Sequence, residues 1–438
     1  MLKKELNLLD LTLSGVGIIV GVGIYALIGE AAGIVWNGIW ISFLIGAVVA
    51  FFTLFSYAEL SQIFPKAGAE YVYVKNSFGE RIGFLIGWLI IVGGCFASAT
   101  ISLGFAGYFS ELFGGNIFFI ALILIVLCTG INIYGIKQSA QVVVLFSIIE
   151  ILGLLLIVLI GIPKLGSVNY FEFPSIKSLI SGAALIFFAF LGFEAIPRLS
   201  EESKKKELIP TAMILSLIIS TIIYVLVSVA AVSVVNWKDL SASRAPLAEV
   251  AKEGFGENAS IVLSIIALFA TANTVLLDLV ATTRILYGMS DVFPSIVGKV
   301  HRERRTPYIA ALIIGFVSAV LLFFDISFVA NSTNFTVFIT FISVNAAVIY
   351  FRKKEAKPFS SKFSQFSPSF VGVPIFPVAG IASSIFLILG FSLDVIATGI
   401  AIIFLGCVVY EILKRKKRKR KTENIKNIND NINNKQEQ

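Results

Sequence analysis

Four glycines in nine residues, Gly15, Gly17, Gly21 and Gly23, fall within the first strongly apolar segment of the chain. Each destabilises a helix relative to alanine, so the run suits a plain membrane helix poorly. It suits a spanning helix that is broken, whose freed amides and carbonyls can hold a ligand. Close packing through small residues would leave the same pattern. A second candidate break begins at Gly182 and continues through Phe187-Phe188-Ala189-Phe190-Leu191-Gly192-Phe193-Glu194. Two acids also lie well inside apolar segments, Glu150 and Asp278. A carboxylate at that depth is expensive, and such groups tend to face a bundle interior and mark relays or binding sites. Glu150 falls near mid-bilayer depth, whereas Asp278 lies closer to the cytoplasmic end, where water or Arg284 would satisfy it.

The elements that must position these groups are membrane helices. Hydrophobic residues make up 57% of the 438 and charged ones 14%, with a mean hydropathy of +0.91, which excludes an ordinary soluble domain. Runs long enough to span a bilayer fall near 11–34, 38–58, 82–108, 116–135, 139–161, 178–197, 209–235, 258–283, 307–324, 329–350, 370–390 and 393–412. The first reads as a retained span, because no small-residue cleavage site follows it. With both termini cytoplasmic, 30 of the 35 Lys and Arg residues lie on that side, leaving Lys164, Lys177, Lys238, Arg244 and Lys252 outside.

The net charge of +8 does not predict nucleic-acid binding. The tail from Lys414 holds 10 basic and 3 acidic residues, so the remainder is nearly neutral. A basic block directly after a span anchors that end at an anionic leaflet, and the Asn/Lys/Gln-rich residues beyond it read as a disordered end. Cys95, Cys128 and Cys407 show no paired spacing, so neither a disulfide framework nor a metal site is expected. No nucleophile–base cluster points to an enzyme, and no cofactor is expected. The predicted divisions are 1–10 as a cytoplasmic N-terminus, 11–161 and 178–350 as two five-helix units, 370–412 as two further helices, and 413–438 as the basic tail. Five spans per unit make the second unit enter the membrane from the opposite side, the arithmetic of an inverted repeat.

In this order the motifs make the chain similar to the amino acid–polyamine–organocation permeases, over roughly residues 8 to 412. The marks are Gly17-Ile18-Ile19-Val20-Gly21-Val22-Gly23-Ile24-Tyr25, Tyr57-Ala58-Glu59-Leu60-Ser61, Pro65-Lys66-Ala67-Gly68-Ala69-Glu70-Tyr71, Asn132-Ile133-Tyr134-Gly135, Phe187 to Ala195, Glu201-Glu202-Ser203 and Thr283-Arg284-Ile285-Leu286-Tyr287-Gly288. The resemblance implies an all-α polytopic membrane protein with a LeuT-like 5+5 inverted repeat, 12 transmembrane helices, and helices 1 and 6 discontinuous. It implies secondary transport of amino acids or related organic cations.

On that reading the substrate carboxylate meets backbone groups around Val20, Gly21, Val22 and Gly23, where the dipole of the second half-helix favours an anion. The ammonium meets carbonyls of Gly17, Ile18, Phe187, Phe188 and Phe190, and the Phe188 and Phe190 rings are candidates to close the side-chain pocket. Most of the 39 phenylalanines must nonetheless be packing residues. Glu150 occupies the position where proton-coupled relatives often carry a lysine. Desolvation favours the neutral form of a carboxyl group, so a glutamate there is a candidate coupling-proton carrier. It would serve equally as a cation ligand or a contact for a cationic substrate. Asp278 is the second coupling candidate. Thr282 and Thr283 align roughly with sodium-holding hydroxyls of relatives, and sodium is the lesser expectation beside the proton. Glu59, Glu194 and the charges from Arg198 to Glu207 are candidates for gate salt bridges. The alternatives are a polyamine or cationic amine carrier, a sodium-independent exchanger, and a membrane sensor on the same scaffold.

Overall fold

Without water to satisfy exposed peptide groups, a chain this apolar must bond its backbone internally, and it does so as helices. The computed structural model describes residues 6–64, 69–135, 140–201, 204–290, 292–294, 296–354, 369–370 and 373–436. The motif residues Pro65 to Gly68, Glu202 and Ser203 lie outside them.

Sixteen α-helices are described: α1 (Leu8–Ile19), α2 (Val22–Val35), α3 (Ile39–Ile63), α4 (Ala69–Phe78), α5 (Glu80–Phe113), α6 (Ile117–Tyr134), α7 (Ala140–Gly161), α8 (Ile176–Ile186), α9 (Ile209–Val234), α10 (Trp237–Ala242), α11 (Pro246–Phe255), α12 (Glu257–Gly288), α13 (Tyr308–Leu321), α14 (Ile326–Lys354), α15 (Ile375–Ile388) and α16 (Leu393–Gln436). Residues 369–370 and 373–374 form a minimal antiparallel pair. Among the described residues nine helical stretches are long and apolar enough to cross a membrane. The count falls short of the twelve expected from hydropathy because α1, α13 and α15 are shorter apolar helices, and because residues 23–63, covering α2 and α3, form one stretch. A 3-10 turn at Trp36–Gly38 separates those two helices. Helix α16 runs on through the basic segment to Gln436, where composition predicts an irregular end.

The first interruption has a definite local cause. Val20 has φ −73° and ψ 75°, and the Gly21 N–H donates to Ile19 O at 2.7 Å, which is an inverse γ-turn centred on Val20. Gly21 then turns extended and caps α2 without a side chain. The second interruption follows α8: a 3-10 stretch at Phe187–Phe190, then Gly192 at φ +119°, where an L side chain would be strained, then a 3-10 stretch at Phe193–Glu201 containing Pro197. Around both breaks α1 and α3 pack on α9, while α5 packs on α12 and α14.

Candidate functional site

The two interruptions touch. A Cβ on Gly192 would stand 2.6 Å from the carbonyl oxygen of Ile18, and one on Gly23 would stand 2.8 Å from the Ala189 nitrogen and Cβ. Glycine is thus required at Gly23 for contact between the breaks, while Gly15 and Gly17 lie within α1, where a Cβ would run into Ser216 and Ser147, so both readings of the run apply. Gly23→Ala should separate them, an overpacking effect of about 1–3 kcal/mol, and lower both the melting temperature and ligand affinity. Gly130→Ala on α6, where nothing lies within 4 Å of the added atom, should leave both unchanged; thermal unfolding with and without ligand checks the contrast.

A cavity of about 350 Å³ opens at this junction. Gly17, Ile18, Gly21, Gly23 and Phe188 line it, and so do Glu150 from α7 and Asp278 from α12. Thus the structure brings together most of the residues singled out in sequence. Val20 is buried away from the cavity, and its N–H donates to Val16 O at 2.6 Å. With the Gly21 N–H also engaged, neither amide is available as the carboxylate donor expected from the motif. The amides a helix start leaves unpaired are those of its first turn, here Val22, Gly23 and Ile24. Phe187 and Phe190 are fully buried and do not line the cavity. The Phe187 ring packs on Phe338 and Phe341, and the Phe190 ring on Phe43 and Tyr224, so Phe190 is a wall behind the pocket rather than its lid.

Glu150 is 5% exposed, and its Oε1 accepts no hydrogen bond from the described residues. Its backbone is fixed instead: the Tyr25 hydroxyl donates to the Glu150 carbonyl at 2.9 Å, and the Tyr108 hydroxyl donates to the Tyr25 carbonyl at 3.1 Å. The Asp278 carboxylate accepts from the Ser98 hydroxyl of α5 at 2.5 Å, a partner that the sequence does not suggest. Thr282 lines the cavity, whereas the Thr283 hydroxyl accepts from the Asn132 amide at 3.0 Å. Glu194 also lines the cavity, where its carboxylate accepts from the Gly192 N–H at 2.9 Å. At the far end of α3, Glu59 receives Arg352 of α14 through two bonds of 2.8 and 2.6 Å.

Tyr224 of α9 escapes a reading from sequence. Its hydroxyl stands 2.8 Å from Ile19 O and 2.7 Å from Ala189 O, one donor shared between a carbonyl of each break. Tyr224→Phe keeps the ring and removes the donor, leaving buried carbonyl capacity unmet at about 1–3 kcal/mol. It should weaken ligand binding while secondary structure is retained, read by ligand-induced thermal shift beside circular dichroism.

A ligand-sized cavity between two interrupted helices of a polytopic chain fits a membrane carrier, and the family the sequence matches is one of permeases, not enzymes. The sequence matches the profile of the amino acid permease family over residues 6–423, and the chain belongs to that family, within the amino acid–polyamine–organocation superfamily. It is 30% identical to the branched-chain amino acid permease BcaP of Bacillus subtilis, over 95% of this chain and 94% of that protein. It is 28% identical to a methylthioribose transporter of the same organism over the same shares, and 28% identical to cationic amino acid transporter 4 of Mus musculus over 82% of this chain and 61% of that protein.

Proposed function

We propose that the chain carries amino acids across the cell membrane by alternating access, coupled to protons, with both termini cytoplasmic. The proposed architecture is twelve crossings in a LeuT-like 5+5 inverted repeat, with α1 and α2 forming the first crossing and α8 with its 3-10 continuation the sixth. One observation carries this reading: the cavity lies where the two unwound segments meet, so main-chain donors and acceptors face one small volume. Amides of the first turn of α2, aided by its dipole, suit a carboxylate, and carbonyls around Gly17, Ile18 and Phe188 suit an ammonium. Glu150, buried in the same cavity with an unoccupied oxygen, is the proposed proton carrier, and Asp278 a second acid on that path.

A cationic substrate is the second reading, and the charge of the lining favours it. Glu70, Glu150, Glu194 and Asp278 all line the cavity, and no Lys, Arg or His does so among the described residues. Purified protein in liposomes, offered labelled neutral amino acids, cationic amino acids and amines under imposed proton or sodium gradients, tests both readings. Uptake driven by a proton gradient without sodium is expected. Movement only in exchange for internal substrate, or only with sodium, would remove the proton-coupled reading; uptake of amines lacking a carboxylate would replace the amino acid.

A further inference from the structure

We propose that the cleft between α5 and α16 binds the phosphate headgroup of an anionic glycerophospholipid. The two helices meet tightly at one level. Trp88 of α5 donates its indole N–H to the Ile402 carbonyl of α16 at 3.0 Å, and a Cβ on Gly406 would stand 2.6 Å from the Trp88 ring. Towards the start of α5 the helices part, leaving a cleft of about 310 Å³ lined by Arg81, Cys407, Val408, Glu411, Ile412 and Arg415. Arg81 precedes Trp88 by seven residues and Arg415 follows Gly406 by nine, so the arginines stand roughly 10–13 Å along the helices from the contact.

The cleft is thus graded. Its inner wall carries Val408 and Ile412, 38% and 49% exposed, within the apolar run of α16. Its rim sets two guanidinium groups against one carboxylate. The Arg81–Glu411 pair is a single approach of 3.9 Å through Nε, with side chains 60% and 44% exposed, so it occupies little of a five-donor fork. Lys414 adds a further positive charge beside the rim, its ammonium 5.4 Å from the Tyr410 ring centroid. A phosphate suits paired guanidinium groups, and acyl chains suit the wall beneath. A soluble anion would leave the apolar wall uncovered.

Trp88, at the helix contact beyond the cleft, provides a reporter. The full chain is placed in phosphatidylcholine vesicles containing a minor fraction of phosphatidylglycerol with brominated acyl chains, and compared with the same fraction of brominated phosphatidylcholine. Subtracting the Trp88→Phe signal isolates this site. Phosphatidylglycerol should quench more strongly, and Arg81→Gln with Arg415→Gln should cut that preference about tenfold, while the paired lysine substitutions keep most of it. Equal quenching by the two lipids, or an unchanged preference in the glutamine variant, would overturn the site. Displacement by soluble glycerol phosphate would overturn the lipid assignment in favour of a free phosphate ester.

Discussion

Glu150→Gln should abolish accumulation driven by a proton gradient while leaving exchange of substrate across the same membrane. A pH difference of one unit is worth about 1.4 kcal/mol per proton moved, so one-to-one coupling supports roughly tenfold accumulation. Glutamine preserves the shape of the side chain and removes its ability to gain and lose a proton, so accumulation should fall to the equilibrative level. The structure favours a clean separation of these effects. The carboxylate Oε1 has no hydrogen-bond partner among the described residues, and the backbone at this position is held through its carbonyl by Tyr25. The substitution therefore disturbs little of the surrounding network. Undiminished gradient-driven uptake by the variant would remove Glu150 from coupling and transfer attention to Asp278.

Arg352→Met should cost about 3–5 kcal/mol, the largest stability effect expected from a side chain outside the cavity. Glu59 is 3% exposed and held by two charge-assisted bonds from one guanidinium. Removing the arginine strands a carboxylate in a site that excludes water, which is far worse than losing the pair as a whole. Arg352→Met combined with Glu59→Gln should therefore recover much of the loss in melting temperature. If the double variant melts no higher than Arg352→Met alone, the pair is not the cause. The bridge joins α3 to α14, so under the alternating-access proposal its removal should also raise the reactivity of cysteines introduced at cavity-lining positions such as Ala97 or Ala281 toward reagents applied from that side.

That the chain is a helical polytopic membrane protein was readable because apolar run length acts locally, residue by residue. The first interruption was readable too, since Gly15 to Gly23 states its backbone freedom in composition. What each amide does was not. The γ-turn that engages the Gly21 N–H and the bond from Val20 to Val16 are matters of dihedral angle, which glycine permits but does not dictate. Phe188 and Phe190 are two residues apart in the same motif, and only the direction of a 3-10 turn puts one at the cavity and the other against Phe43. Tyr224, one of 12 tyrosines, sits in an unremarkable apolar helix, and its role depends on acceptors 205 and 35 residues away in sequence. Arg352 was likewise visible only as a flank charge until α3 was seen beside α14.

The tyrosine links that help to hold this centre in shape are neutral. Tyr224 joins the two breaks, and Tyr25 and Tyr108 secure the neighbourhood of Glu150, all through hydroxyl-to-carbonyl bonds. Such bonds are largely indifferent to ionic strength and to whether a nearby acid is charged. If Glu150 carries the coupling proton as proposed, a centre built this way changes its electrical state repeatedly without losing its mould, so the scaffolding and the switch are made of different chemistry and can be altered separately.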